Sequence, residues 1–307
     1  MQLQPEVFVY FMEILLLVGA GPAAARSVGS AKEYSYADYA TFFMTISALA
    51  GLALFVYWAV KNRFGRDSLE RAVYRRNFMP YYLPAAVIFC WVGLTWFASN
   101  LAENLTAKLP GWQQKFTIFS FLIVVEVIII IFVLAAVKKY FEGGLSGFGL
   151  RRGEIFRDIS AAAAYFFAVW PLVMAAIFLV MEIGTILEGP DFQMQRNEGL
   201  TVILENQQWS LRLLMIFFAT VLTPVFEEII FRGLLQSYLR DTGYSPWQAI
   251  FIASIIFTVL HPWMHLPALL ILAVCMGYAY EKSGSLLRSI FIHCFFNLSQ
   301  IAFTLLG

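Results

Sequence analysis

The chain has 307 residues and a formal net charge of +1, with hydrophobic residues making up 60% of it and charged residues only 13%. Soluble domains carry roughly 25% charged residues, so the composition excludes an ordinary soluble domain and indicates a protein that lies in lipid. The near-zero net charge argues against a nucleic-acid partner, which leaves the bilayer as the expected environment.

Nine apolar runs follow one another along the chain, and a helix needs about 20 such residues to cross the hydrocarbon core. The runs show no period-2 alternation, and a backbone in hydrocarbon must satisfy its own hydrogen bonds, so helices are favoured over a barrel. The sequence therefore predicts an all-α fold, a polytopic transmembrane helical bundle of eight or nine spans. In chain order the predicted spans are Val7–Ala24, Tyr39–Val60, Met79–Asn100, Phe116–Val137, Ile159–Ile186, Leu211–Glu227, Pro246–His261, Met264–Glu281 and Leu286–Leu305.

The first run leaves two alternatives open. It has an apolar core and alanines at 23–25 that would suit a signal peptidase, but no Lys or Arg precedes it and Glu13 interrupts it. We therefore favour a retained first helix over a cleaved signal peptide. Either alternative leaves the next helix with its start outside the cell, so the rest of the predicted topology is the same.

Basic loops predict the orientation, since cytoplasmic loops carry an excess of Lys and Arg. The segment 61–76 holds six basic residues and the segment 138–157 holds five, whereas 187–208 holds one basic residue and four acids. We expect the first two segments in the cytoplasm and the third outside, in a multi-pass protein of the inner (plasma) membrane. This topology places the end of the sixth run, and Glu227 with it, toward the cytoplasmic side.

Two adjacent acids, Glu227 and Glu228, stand at the end of the sixth run, and Arg232 follows four residues after the second. Carboxylates beside so much hydrocarbon are costly and therefore indicate function. Glu228 and Arg232 share a helical face and can pair, whereas Glu227 points about 100° away into a different space. One acid can thus be neutralised while the other serves as a base. The same spacing also occurs on solvated surface helices, so the motif alone is weak.

Two further motifs place polar side chains in the last apolar helices. Phe257 and His261 form FxxxH at a helix end that Pro262 closes, and His293 and Asn297 form HxxxN within the last helix. Polar groups in such a helix must find partners inside the bundle, either as interhelical contacts or as part of a site.

Together the three motifs supply a carboxylate, two imidazoles and an amide from three separate helices. A carboxylate and a histidine can hold and deprotonate one water, while a second histidine and the amide donate to a developing oxyanion. This set of groups fits hydrolysis of an amide bond.

The three motifs, in this order, resemble the signature of the CPBP intramembrane protease family, which includes the CAAX proteases and the bacteriocin-processing or Abi proteins. Here they read EEIIFR from 227, FTVLH from 257 and HCFFN from 293, and the likeness covers roughly residues 210–305. We therefore divide the chain into N-terminal transmembrane helices of undefined role, 1–205, and a CPBP-like catalytic core, 206–307.

The resemblance implies a glutamate-type intramembrane peptidase that uses no metal and no other cofactor. It implies that Glu227 with His261 activates the water and that His293 with Asn297 forms the oxyanion hole. The motif residues that would shape and hold the site are Glu228 and Arg232. The expected partners are the lipid bilayer and a peptide or protein substrate in or at the membrane, with or without a lipid attached.

Two alternatives remain open at this point. A catalytically silent relative could act as a scaffold or a bacteriocin-immunity protein, in which case a Glu227→Ala variant would keep full cellular function. A zinc-dependent membrane protease would also use Glu and His, although the chain has no HExxH. Metal analysis of the purified protein separates this alternative from the metal-free one.

One more acid, Glu126, lies in the middle of the fourth run, within VVEVIII. A buried acid at that depth either pairs within the bundle or takes part in function. The sequence favours pairing but does not name the partner.

Overall fold

The computed structural model describes residues 36–194 and 198–306, so the predicted span Val7–Ala24 lies outside the described residues. The described part is helical and contains no β-strand, in agreement with the predicted all-α class. Its nine main helices are labelled in chain order: α1 Tyr36–Lys61, α2 Leu83–Thr106, α3 Gly111–Tyr140, α4 Ile155–Glu188, α5 Glu198–Glu205, α6 Trp209–Asp241, α7 Pro246–Val259, α8 Leu266–Ser283 and α9 Leu286–Leu306.

Five segments of the described chain are long and apolar enough to cross a membrane, and they correspond to α2, α3, α4, α6 and α8 with its preceding turn. Three shorter apolar helical segments, Thr45–Lys61, Pro246–Val259 and Leu286–Ala302, coincide with other predicted spans. The chain is thus a helical protein with five candidate spans among its described residues, and the predicted number of eight or nine is not confirmed.

Helix α7 is short because the sequence at each of its ends stops the helix. Ser245 and Gln248 form a reciprocal capping box, with Gln248 N donating to Ser245 Oγ at 3.4 Å and Ser245 N donating to Gln248 Oε1 at 2.9 Å. Pro246 occupies the first turn, where its missing N–H costs nothing. Pro262 follows the last turn and prevents the helix from continuing.

Helix α6 differs most from its predicted bounds. The apolar run was expected to end at Glu227, whereas the helix continues without a break to Asp241. Its second half is buried in the bundle, with every residue from Phe226 to Ser237 buried. The charged residues of this half, Glu227, Glu228 and Arg232, therefore lie within the protein interior.

The helices pack around α4 and α6. Helix α4 packs against α1, α8 and α9, while α6 contacts the α2–α3 pair on one side and α7, α8 and α9 on the other. The phenyl ring of Phe148 fits against Gly233 of α6, where an added Cβ would come within 2.1 Å of that ring. A side chain larger than hydrogen at 233 would displace this buried aromatic contact.

Loops from both halves of the chain meet at one end of the bundle. Phe78 N donates to Tyr140 O at 2.8 Å, and Leu286 N donates to Gly149 O at 3.0 Å. Gly149 has φ +101°, and a Cβ there would lie 2.7 Å from Gly284 O, so only glycine fits. The two basic segments 61–76 and 138–157 therefore lie at the same end of the bundle.

A buried ionic cluster ties this end together. The carboxylate of Glu281 binds the guanidinium of Arg75 and approaches Arg240 Nε at 2.6 Å, and Gln236 Nε2 donates to it at 3.1 Å. A buried carboxylate of this kind requires such partners to offset its desolvation. Through this cluster the loop before α2 is fastened to helices α6 and α8.

Candidate active site

The two adjacent glutamates lie in a distorted part of α6. A π-helical turn at Phe218–Leu222 precedes the regular segment Thr223–Glu228, and a second π-helical stretch, Ile229–Gln236, follows it. Such turns widen a helix and re-aim its side chains, and they are frequent at functional sites. Both carboxylates face the interior, with Glu227 6% exposed and Glu228 fully buried.

Glu228 is held by groups from two helices. Arg232 Nε lies 3.3 Å from its Oε2, as the four-residue spacing predicted, and the Ser289 hydroxyl donates a hydrogen bond to the same carboxylate. His293 Nδ1 lies 3.1 Å from Glu228 Oε1. Since a carboxylate only accepts, this nitrogen carries the hydrogen. Glu228 thus fixes the orientation of the His293 ring.

Arg232 is fully buried and incompletely hydrogen-bonded. Its Nη2 donates to Ala273 O at 3.3 Å, while Nε and Nη1 have no hydrogen-bond partner, so the contact with Glu228 is an ion pair without good hydrogen-bond direction. Its guanidinium lies over the ring of Phe257, 4.7 Å from the centroid, which adds a cation–π contact in a dry setting.

Glu227 pairs with His293 among the described side chains. His293 Nε2 lies 3.6 Å from Glu227 Oε2, just beyond hydrogen-bond range. Because Nδ1 carries its hydrogen toward Glu228, Nε2 of a neutral His293 has only a lone pair. That lone pair would face the Glu227 carboxylate, which is also only an acceptor. Either a proton or a water must therefore be shared between the two groups.

His261 adjoins His293 through the ring of Phe257, which contacts both imidazoles. Its Nδ1 lies 3.0 Å from Phe257 O, one turn back, which leaves Nε2 as the nitrogen available to a ligand. The Phe257 ring lies 4.7 Å from the His261 ring and 5.9 Å from the His293 ring, measured between centroids. Within the described side chains Glu227 and His261 form neither an ion pair nor a hydrogen bond, and their expected action on one shared water stays a prediction.

Asn297 lies one turn after His293 on α9. Its Nδ2 donates to Ala219 O at 2.8 Å, in the first π-helical turn of α6. This bond uses one amide hydrogen and leaves the second available. In a regular α-helix the backbone N–H of Thr223 would donate to Ala219 O, but in this π-helical turn it donates to Phe218 O. Ala219 O is therefore available to Asn297.

The structure adds residues that the motifs did not assign to the site. Phe257 belongs to a motif but emerges here as the ring that touches Arg232, His261 and His293. Ser289 and Glu126 come from outside the motifs. Glu126 of α3 is buried, and its two oxygens lie 3.5 and 3.4 Å from Thr223 Oγ1, one turn before Glu227. Its isolated place in an apolar run was the only sequence signal for it.

The six residues named from the sequence therefore gather in one region. Four of them, at 227, 228, 232 and 293, are in direct contact, while those at 261 and 297 adjoin this group through Phe257 and through one helical turn. In the ranges 36–194 and 198–306, no three His, Cys, Asp or Glu side chains are arranged so that they could hold a metal ion.

Residues 208–299 match the family model described as type II CAAX prenyl endopeptidase Rce1-like. The match contains all three motifs and confirms the resemblance to the CPBP and CAAX protease family. Over these residues the chain is similar to that endopeptidase family, and its several apolar helices indicate a multi-pass membrane protein. No curated protein and no solved structure matches the chain.

Proposed function

We propose that the chain is an intramembrane endopeptidase that hydrolyses a peptide bond of a membrane-associated protein or peptide with a water activated by glutamate and histidine. The observation that carries this proposal is His293 lying between two buried carboxylates, 3.1 Å from Glu228 and 3.6 Å from Glu227. Only one of these acids has a permanent cation beside it. The second is free for proton transfer.

Charge balance supports different roles for the two acids. Glu228 and Arg232 neutralise each other, so Glu227 and His293 together need one proton to leave the buried group uncharged. When that proton is on His293, Glu227 is an ionised base and Nε2–H is a donor. This is the arrangement that water activation requires, with acceptor and donor close to each other.

In the proposed step, Glu227 takes a proton from water as the water oxygen bonds to the scissile carbonyl carbon. The carbonyl oxygen becomes an oxyanion that accepts hydrogen bonds from His293 Nε2–H and the second Asn297 amide hydrogen. The C–N bond then breaks, and the departing nitrogen takes the proton from Glu227. Glu228 and Arg232 hold His293 in place through both stages.

His261 is partly exposed, as Asn297 is, whereas the other four motif residues are buried. Its Nε2 is available to accept a hydrogen from the same water, because Nδ1 is tied to Phe257 O. We assign it to orienting the water opposite Glu227, so that these two residues act through the water and not by direct contact.

The proposal extends to topology and substrate. The site belongs to the catalytic core 206–307, and the described helices before residue 206 form its membrane scaffold. The three shorter apolar helices bring the spans of the described residues to eight. The substrate is a peptide chain in or at the membrane, with or without an attached lipid. The protein is placed in the inner (plasma) membrane with its site toward the cytoplasm.

Proteomics of membranes tests the activity. Cells producing the Glu227→Gln variant are expected to lose a set of new peptide ends that cells with the unmodified protein contain, because the amide is nearly isosteric but cannot take the proton. Glu103→Gln, at an exposed glutamate of α2, is the matched control and should leave those ends unchanged. Identical sets of peptide ends in all three membranes would contradict proteolysis and favour a silent scaffold.

Labelling of the basic loop tests the orientation. In a variant whose three cysteines are replaced by alanine, we expect a cysteine introduced at the exposed Glu70 to resist an impermeant thiol reagent in intact cells and to react after lysis. The physical reason is the positive-inside preference of its six basic residues. Labelling from outside would reverse the topology and place the site on the other face.

A further inference from the structure

An open apolar groove lies between α1, α4, α7 and α8, with a volume of about 620 Å³. This volume is within the range of sites that hold small ligands, about 300–1,000 Å³. The floor is formed by small residues of α4, where Ala161, Ala164 and Ala168 follow one another on one helical face. Larger apolar side chains form its walls. Arg288 also lines the groove and is paired with Asp158 at 2.9 Å.

Aromatic residues close one end of the groove. The rings of Trp247 and Tyr278 are stacked with centroids 5.7 Å apart, and Trp58 Nε1 donates to Tyr278 OH at 2.9 Å. Tryptophan and tyrosine with polar tips of this kind are enriched at the level of lipid headgroups. This end of the groove therefore marks the membrane–water interface.

The basic loop after α1 lies directly on these aromatic residues. Gly65 O accepts a hydrogen bond from Trp247 Nε1 at 3.2 Å, and a Cβ on Gly65 would lie 3.0 Å from Trp247 and 3.4 Å from Trp58. The side chains of Lys61, the last residue of α1, and of Arg66 on the loop are exposed. Clusters of basic residues immediately beyond a membrane helix attract anionic lipid headgroups.

The groove is separate from the candidate active site. None of the six motif residues lines it. Helix α7 presents Phe251 to the groove and Phe257 to the site, and α8 presents Val274 to the groove while the carbonyl of Ala273 binds Arg232. A substrate held in the groove would thus be divided from Glu227 by these two helices, which argues for a lipid and against a substrate.

We propose that this groove binds one anionic phospholipid, with an acyl chain over the alanines of α4 and its headgroup on Lys61 and Arg66. The apolar lining matches the chain, the aromatic end matches the glycerol region, and the two exposed cations match a negative phosphate. The site is independent of the proposed proteolysis.

Native mass spectrometry of the intact protein, released from micelles with equal amounts of phosphatidylglycerol and phosphatidylcholine, tests the proposal. The unmodified protein is expected to retain one phosphatidylglycerol. The double variant Lys61→Gln/Arg66→Gln should lose its preference for phosphatidylglycerol by about fivefold for each charge removed. The matched control Lys138→Gln/Lys139→Gln, which makes the same charge change at the end of α3, should keep it. An unchanged preference in the first double variant would overturn the headgroup assignment.

A second pair of variants tests the acyl chain. Ala164→Trp fills the groove floor and should abolish retention of either lipid, whereas Ala135→Trp on the exposed face of α3 should not. A photoreactive benzoylphenylalanine at 251 should give a product heavier by one phospholipid. Lipid retention in Ala164→Trp, or a cross-link to residues 1–35 or to another protein in place of lipid, would overturn the proposal.

Discussion

Replacing Arg232 by methionine is expected to lower the free energy of unfolding by about 3–5 kcal/mol, because it leaves a buried carboxylate without its cation. Glu228 and Arg232 are both fully buried and 3.3 Å apart. Methionine keeps most of the volume and the contact with Phe257 but removes the charge. Reversible unfolding of the protein in bicelles or mixed micelles measures the change.

The double variant Glu228→Gln/Arg232→Met is the informative control. It removes the ion pair as a whole, and replacing a buried pair is often nearly neutral, so most of the lost stability should return. The glutamine oxygen can still accept from His293 Nδ1–H, and its NH2 group can donate to the Ser289 hydroxyl, which can also serve as an acceptor. As a matched surface control, Arg76→Met breaks the exposed contact with Glu142 and should change stability by about 0–1 kcal/mol. Equal losses in the single and double variants would mean that Arg232 contributes packing and not charge compensation.

The helices were predictable because apolar periodicity and length are local properties. The observed α3, Gly111–Tyr140, and α4, Ile155–Glu188, contain the predicted runs and extend them at each end by a few residues that include charged ones. Hydropathy does not register such residues as helical. Where the predicted span ended at Glu227, the helix itself continues to Asp241, because the charged residues after Glu227 lower the hydropathy but remain helical.

The continuation of α6 past Glu227 depends on contacts between helices, which a single sequence does not show. The charges on α6 are accommodated by partners from elsewhere in the chain: Ser289 and His293 on α9, and a backbone carbonyl on α8. Only the Glu228–Arg232 pair could be predicted from the sequence, because its members share one helix and a four-residue spacing. The long-range partners depend on how helices cross.

The same limit explains the neighbours of Glu227. The resemblance assigned His261 to the same water as Glu227, which stays a prediction, whereas the crossing of α6 and α9 brings His293 Nε2 to 3.6 Å from Glu227. Helix α3 brings Glu126 to the preceding turn. The π-helical turns that free Ala219 O for Asn297 have no motif of their own. Motifs thus predicted which residues gather, while contacts between helices determine which atoms meet.

Replacing Asn297 by alanine is expected to lower kcat by about 10²–10³-fold, the usual cost of one oxyanion donor, with KM nearly unchanged. The substrate is the peptide whose cleavage depends on Glu227, reconstituted with the protein in lipid. A purely structural role predicts another result, since the observed Asn297–Ala219 bond would then contribute only about 0.5–1.5 kcal/mol of stability and kcat of the folded fraction would stay normal.

Measuring kcat and unfolding on the same Asn297→Ala samples therefore separates the two roles. Ser299→Ala is the matched control, because it removes a side-chain bond to a backbone carbonyl, Phe296 O at 2.7 Å, on the same helix but outside the site. It should leave kcat within about twofold while costing similar stability. If both variants were equally destabilised and kcat stayed normal in both, the role of Asn297 would be to hold α9 against α6 through its hydrogen bond to Ala219 O. The oxyanion would then have His293 Nε2–H as its donor, which the 3.6 Å approach of that nitrogen to Glu227 allows.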